Sequence, residues 1–215
     1  MMITNPSFWR ILFPWILWKG PSASPEVFLT FDDGPHPTYT PQVLNLLDRY
    51  QIKATFFLSG EKVLLYPEIV ERIKKEGHTA GNHGFTHHPL IFQRAEKIRE
   101  QIVQTDHAIQ RIIGRKPTFF RPSYGRFDPR FRKLMQELQH RMVLWSLLSY
   151  DFRESDPRKL TRRIQENIHP GAIIVFHDGH PNSSTTLEAL PHILRSLGQL
   201  GYRTKSLDHL IGKVA

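Results

Sequence analysis

A single parallel α/β domain is the fold class this sequence predicts, and three observations predict it. Short β-type runs recur from residue 27 to residue 205, and stretches with helical periodicity lie between them. No long linker, repeat or low-complexity tract interrupts the alternation. A chain of 215 residues fits one domain, and 40% hydrophobic with 23% charged residues supplies a core. A barrel and an open sheet both satisfy the pattern, and both gather ligand sites at the carboxyl ends of their strands.

In chain order, residues 1–25 read as an apolar amino-terminal element ahead of a domain at 26–215. The run at 8–18 (FWRILFPWILW) is too short for the roughly 20 residues of a membrane span and is broken by Arg10 and Pro14. The expectation is an element packed on the domain, then an anchor at a membrane surface, then a cleaved signal. Against the signal, no Lys or Arg precedes Phe8, although Ser22, Ala23 and Ser24 offer a small-residue site. Strands are expected at 27–31, 54–58, 78–82, 118–121, 142–146 and 172–176, with a weaker one at 202–205. Helical faces are formed by Val43, Leu46, Leu47 and Tyr50, by Ala95, Ile98, Ile102, Ile109 and Ile112, and by Leu187, Leu190, Leu194 and Leu197. Thr40-Pro41, Asp128-Pro129 and Asp156-Pro157 each pair a capping residue with Pro at a first helical position. Gly77 and Gly201 stand where carboxyl caps stand.

Composition limits the chemistry. There is no Cys, so thiolate metal sites and disulfides are excluded, and any metal must be held by His, Asp, Glu or water. His is frequent, at 12 residues. The net charge of +9 could attract an anionic partner, but the basic residues are scattered. Their densest group (Arg158, Lys159, Arg162, Arg163) opposes Leu160, Ile164 and Ile168, as on a solvated helix face. No basic-aromatic motif points to nucleic acid.

Four clusters sit at expected strand ends. In Leu29-Thr30-Phe31-Asp32-Asp33-Gly34-Pro35 an apolar strand runs into two carboxylates. Neighbouring strand residues face opposite ways, so both could serve one site only where Gly34 and Pro35 end the strand. Two close carboxylates repel unless a cation or proton separates them, which suggests a metal ligand beside a base. The alternative is a solvated turn. Next, His83 and His87 are four apart, on one side of a helix or strand; with one carboxylate they would leave Zn²⁺ an open position. His88 would point away. Arg121 could hold a carboxylate by a bidentate bond. Finally, the apolar run 173–176 delivers His177, whose titration range suits a general acid.

In order and spacing, Thr-Phe-Asp-Asp-Gly-Pro, the His-x-x-x-His pair, Arg-Pro-x-Tyr and the apolar-strand His resemble the polysaccharide deacetylases (carbohydrate esterase family 4, the NodB homology domain). The resemblance covers nearly all of residues 26–210. It implies a distorted (β/α) barrel, here of about seven parallel strands, that removes N-acetyl groups from N-acetylglucosamine-type sugars such as chitin oligomers or peptidoglycan. Asp33, His83 and His87 would bind one divalent ion, Zn²⁺ before Co²⁺, Ni²⁺ or Mn²⁺. Asp32 would be the base, oriented by Arg121, and His177 the acid. The Tyr124 amide would help form the oxyanion hole, and Val175, with Phe152 and Asp151, would contact substrate.

One motif departs from the family. Where an Asp-x-x-Asp-Trp is expected, the chain has Leu148-Ser149-Tyr150-Asp151-Phe152. The missing first Asp is expected to lower the pKa of His177 unless Asp151 or Asp178 takes its place. A weaker acid would fit O-deacetylation. Further alternatives are a deacylase of membrane-linked sugars, contacting the membrane through residues 8–18, and a glycan-binding protein; Asp32 and His177 argue against the last. A two-His, one-carboxylate iron oxygenase would leave the same two residues idle. A cytoplasmic location is expected, with the cell envelope or a membrane association as the alternative. Oligomeric state is left open.

Overall fold

In the computed structural model, which describes residues 7–212, β1 (Glu26–Gly34) is the centre of the sheet. On one side lie β2 (Thr55–Leu58), β3 (Thr79–Asn82), β4 (Phe119–Phe120) and β5 (Arg141–Met142) in turn. On the other lie β7 (Ile173–His177) and then β6 (Leu147–Leu148), while β8 (Arg203–Lys205) pairs with the first residues of β1. Every pairing is parallel. Around the sheet run α2 (Tyr39–Arg49), α3 (Gly60–Leu65), α4 (Pro67–Lys75), α5 (Ala95–Ile113), α6 (Arg130–Glu137), α7 (Pro157–Asn167) and α8 (Ser183–Gln199).

Of the expected strand at 142–146 only Met142 lies in β5, and a further short strand, β6, begins just past it at Leu147, which raises the count among the described residues to eight. Met142 pairs with β4 and Leu147 with β7, so one short stretch of chain belongs to both edges of the sheet. Residues 143–146 cross the gap, where Leu17 bridges to Val143. The sheet is therefore curled into a distorted half-barrel.

Parity then sorts the side chains, because successive strand residues face opposite ways. Val27, Leu29 and Phe31 join Phe56, Leu58, Ile174 and Phe176 in the core beneath the helices. The residues between them face the barrel interior. Phe28, Phe57, Phe119 and Ile173 cluster there with Leu207 and Leu210. Thr30 and Val175 come next, and Asp32 and His177 last. Burial on both faces explains why these strands read as continuous apolar runs.

Two of the three expected caps form. Asp156 accepts from Arg158 N and Asp128 from Arg130 N, at 2.9 and 3.0 Å. Thr40 lies inside α2 instead; its hydroxyl accepts from His36 N at 2.7 Å and donates to Asp178. The amino-terminal element is divided: α1 (Ser7–Leu12) exposes Phe8 and Ile11, whereas Ile16, Leu17 and Trp18 are buried.

Candidate metal centre and active site

Asp32 and His177 are directly paired across β1 and β7, so parity alone points both into the same mouth. Asp33 should face the other way. As expected, β1 ends at Gly34, and its last residues are irregular. Asp33 adopts φ 71°, and the β1–β2 register shifts between Phe31 and Gly34. A left-handed residue inside a strand is an irregularity that re-aims a side chain. Lys62 Nζ ties the distorted backbone down, donating to Asp33 O at 2.7 Å and Gly179 O at 3.3 Å. Gly179 itself is required, since a Cβ there would lie 2.1 Å from Asp33 O.

His83 and His87 converge through a loop rather than along a helix or strand. Gly84 at φ 81° and His87 at φ 56° make the turn. Gln101 Oε1 accepts from both Phe85 N and Thr86 N, and Asn82 Oδ1 accepts from Gly84 N. Buried His83 places Nδ1 2.8 Å from Arg121 O. A carbonyl only accepts, so Nδ1 carries the proton and Nε2 keeps its lone pair. That Nε2 is 3.4 Å from Asp33 Oδ1, and His87 Nε2 is 2.7 Å from the same oxygen. Exposed His88 turns away to Thr86.

Asp33 Oδ1 decides whether this trio suits a cation. It is buried and makes no aligned hydrogen bond, despite two imidazole nitrogens at close range. The three donor atoms lie within 4.8 Å of one another. Burial would raise the Asp33 carboxyl, but His83 and His87, with the charge of His177, hold it well below its usual value. Two imidazoles and an ionised carboxylate facing one point, with a cavity on the remaining side, is the donor set of an open zinc-type site.

Arg121 is completely buried under the opposite carboxylate. Its Nη1 donates to Asp32 Oδ1 at 2.6 Å and to Thr30 Oγ1 at 2.8 Å. The expected bidentate contact is thus a single bond, because Nε and Nη2 are committed to Val143 O and Leu144 O in the seam. The guanidinium also lies 4.1 Å over the Phe57 ring.

At His177 the structure chooses between the two expectations. Its Nδ1–H donates to Asp151 Oδ1 at 2.7 Å. Burial disfavours the imidazolium, but Asp151, with Asp33 and Asp32 farther off, outweighs it and pushes the pKa up to about 10. Asp151 therefore replaces the missing acid at Leu148; Asp178 does not, being bonded to Thr40 instead. Asp151 is also not a wall residue for substrate. It is buried behind His177 and saturated: Oδ1 accepts from Ser149 Oγ, Phe152 N and His177, and Oδ2 from His177 N and Thr186 Oγ1. Nothing in the sequence pattern singled out Lys62, Thr186 or Ser149, which are far from the motifs or look like ordinary polar positions.

These groups open into a cavity of about 640 Å³, walled by Tyr124, Trp145, Leu148, Phe152 and Val175. Tyr124 is at φ 60°, a sparsely populated backbone state for a residue with a side chain. Its ring lies 4.9 Å from His87. The Phe152 ring meets His177 edge-on at 5.4 Å. A smaller cleft of about 300 Å³, near His78 and Thr118 at the opposite ends of the strands, contains none of these residues.

Fold and cluster together define a (β/α) hydrolase scaffold with a three-ligand metal-type site at its carboxyl mouth. The chain belongs to the polysaccharide deacetylase family, whose profile, described as "Polysaccharide deacetylase", matches residues 19–143. The family acts on amide C–N bonds of sugars and is generally metal-dependent. Two Bacillus cereus proteins, both named peptidoglycan-N-acetylglucosamine deacetylase, are 36% and 34% identical to this chain. Each match covers 92% of it, and 74% and 93% of the relatives. The solved Bc1960 peptidoglycan N-acetylglucosamine deacetylase superposes with a TM-score of 0.89 at 34% identity, covering 94% of this chain and 95% of that one. A Bacillus anthracis protein described as a family pseudoenzyme also matches, with a TM-score of 0.84 at 28% identity over 90% of this chain and 67% of that one. Fold alone therefore does not carry activity; the site residues must.

Proposed function

We propose that this protein is a metal-dependent N-deacetylase of N-acetylglucosamine-type units in a peptidoglycan- or chitin-like polymer. Asp33, His83 and His87 would hold one divalent ion of the Zn²⁺ type, and the buried Asp33 Oδ1, close to two imidazole nitrogens without an aligned hydrogen bond to either, is the observation that carries the reading. A divalent ion there supplies the positive charge that polarises an acetyl carbonyl and lowers the pKa of a water. Asp32, fixed by Arg121, takes the proton of the attacking water. His177 stands directly across the strand pair and protonates the departing nitrogen, with Asp151 holding its Nδ1 so that Nε2 is the donor. The Tyr124 amide receives charge on the tetrahedral oxygen. Val175 and Phe152 contact the acetyl group and sugar. The Asp151 pair removes the reason to prefer an ester, since a weak acid was what favoured one.

The experiment is acetate release from N-acetylglucosamine oligomers and peptidoglycan, with Zn²⁺, Co²⁺ or Ni²⁺ restored after chelation. Activity should require the ion and vanish in Asp32→Asn. Release that survives chelation, or an Asp32→Asn enzyme as active as the parent, ends the reading.

A further inference from the structure

The densest group of exposed apolar side chains among the described residues lies far from the catalytic walls, on α1. Phe8, Trp9, Ile11 and Leu12 are 61%, 42%, 77% and 50% exposed within one short helix. Single exposed apolar residues are ordinary, but a contiguous patch marks a surface that meets something. The patch is held in place. Trp9 stacks on Phe13 at 5.8 Å, and Phe13 packs edge-on against Phe127 at 4.9 Å. Behind it the chain is anchored by buried Ile16, Leu17 and Trp18, and Trp18 Nε1 donates to Phe13 O at 3.0 Å.

A cleft of about 510 Å³ beside the helix identifies the occupant by charge. Arg10, Lys19 and Arg141 line it with Trp15 and Trp18, and no carboxylate does. Arg10 Nε is buried there without a hydrogen-bond partner. Aromatic and aliphatic side chains beside an unbalanced cationic cleft match the boundary of an anionic bilayer, where acyl chains and phosphates meet. No helix of the described residues is long or apolar enough to cross a membrane. We propose that α1 and this cleft dock on an anionic phospholipid surface, with Phe8, Ile11 and Leu12 in the acyl boundary and headgroup phosphate at Arg10, Lys19 and Arg141. Phe127 follows Arg126, which lines the catalytic cavity, so docking would hold one rim of that cavity close to the membrane.

Docking does not depend on the deacetylase reading, and its test keeps the two apart. The full chain is mixed with vesicles of phosphatidylcholine alone or of equal phosphatidylcholine and phosphatidylglycerol, and bound protein is sedimented. Binding should appear on the anionic vesicles, weaken with salt, and fall at least about tenfold in the double variant Phe8→Ser/Ile11→Ser. Acetate release from a soluble oligomer should be unchanged in that variant, which also controls for folding. Tryptophan emission of the parent should shift to the blue on anionic vesicles, as Trp9 leaves water. The proposal is overturned if the parent does not sediment, or if the variant sediments equally well. It is equally overturned if light scattering without lipid finds a dimer that the variant breaks, since the patch would then cover a second copy.

Discussion

The two sides of the catalytic mouth treat a buried carboxylate in opposite ways. Asp33 keeps an oxygen without a hydrogen bond among imidazole nitrogens, whereas Asp151 fills both oxygens with five donors. An unsatisfied buried anion is costly unless a cation completes it. A saturated one is stable as it stands and can fix the charge of a neighbour. The open side is built to receive an ion; the closed side is built to hold a proton on His177. The largest effect should come from breaking the open side. His83→Ala should lose the bound ion and reduce acetate release by about a thousandfold, the several kcal/mol such an ion contributes to a transition state. Metal content and acetate release measured together check this. The parent should also melt higher with metal than after chelation, by the usual linkage of ligand to the folded state.

Breaking the closed side should act on pH instead. The folded pKa of His177 is raised from 6.5 to about 10, so the stability its imidazolium contributes is complete below 6.5 and is lost as pH rises from there to about 10, while its acid function is lost only as pH climbs through about 10. In Asp151→Asn the largest raising influence is gone while burial, which lowers the pKa, remains. The alkaline limb of kcat should move down by about two pH units or more. Metal content should stay at the parental level. A limb that does not move would mean that His177 is not the group titrating. By contrast, Leu148→Asp should hardly move that limb, because Nδ1 already has its partner. Its effect should be a several-fold rise in KM, from a charge placed on an apolar wall of the cavity.

The contrast also explains what could be read from the sequence. The β–α alternation and the strand-tip positions of Asp32, Arg121 and His177 were legible because parity and periodicity are local. The closing seam was not. The stretch 142–148 gives no sign that its two ends belong to opposite edges of a sheet, which only the three-dimensional curl decides. Likewise, the Asp33 side chain reaches the mouth through a positive φ that no strand pattern announces. The role of Asp151 was open for a related reason. Its partners Ser149, Thr186 and His177 come from a loop, a helix and a strand, so a motif that had lost one acid looked weaker than the folded site is.

A third carboxylate sharpens the comparison. Asp178 is fully buried beside the site; Oδ2 accepts from Thr40, but Oδ1 has no hydrogen-bond partner. It is half satisfied, and Lys62 is the cation that acts on it, without a direct ion pair. Burial, with Asp33 adding to it, pushes its pKa up to about 7 against the pull of Thr40 and Lys62. The sign is the reverse of an ion-paired aspartate. The folded state binds the proton more tightly than the unfolded chain, so stability is greatest at low pH and falls as pH rises from the ordinary carboxylate range to about 7. The slope in that window is at most about 1.4 kcal/mol per pH unit. Asp178→Asn keeps the shape and removes the titration, so its melting temperature should gain on the parent by a few degrees between pH 5 and pH 8. Thermal unfolding at both pH values decides it. A parent that gains on the variant instead would mean that Asp178 is ionised at neutral pH and paired with a cation, and the division between open and saturated carboxylates would need redrawing.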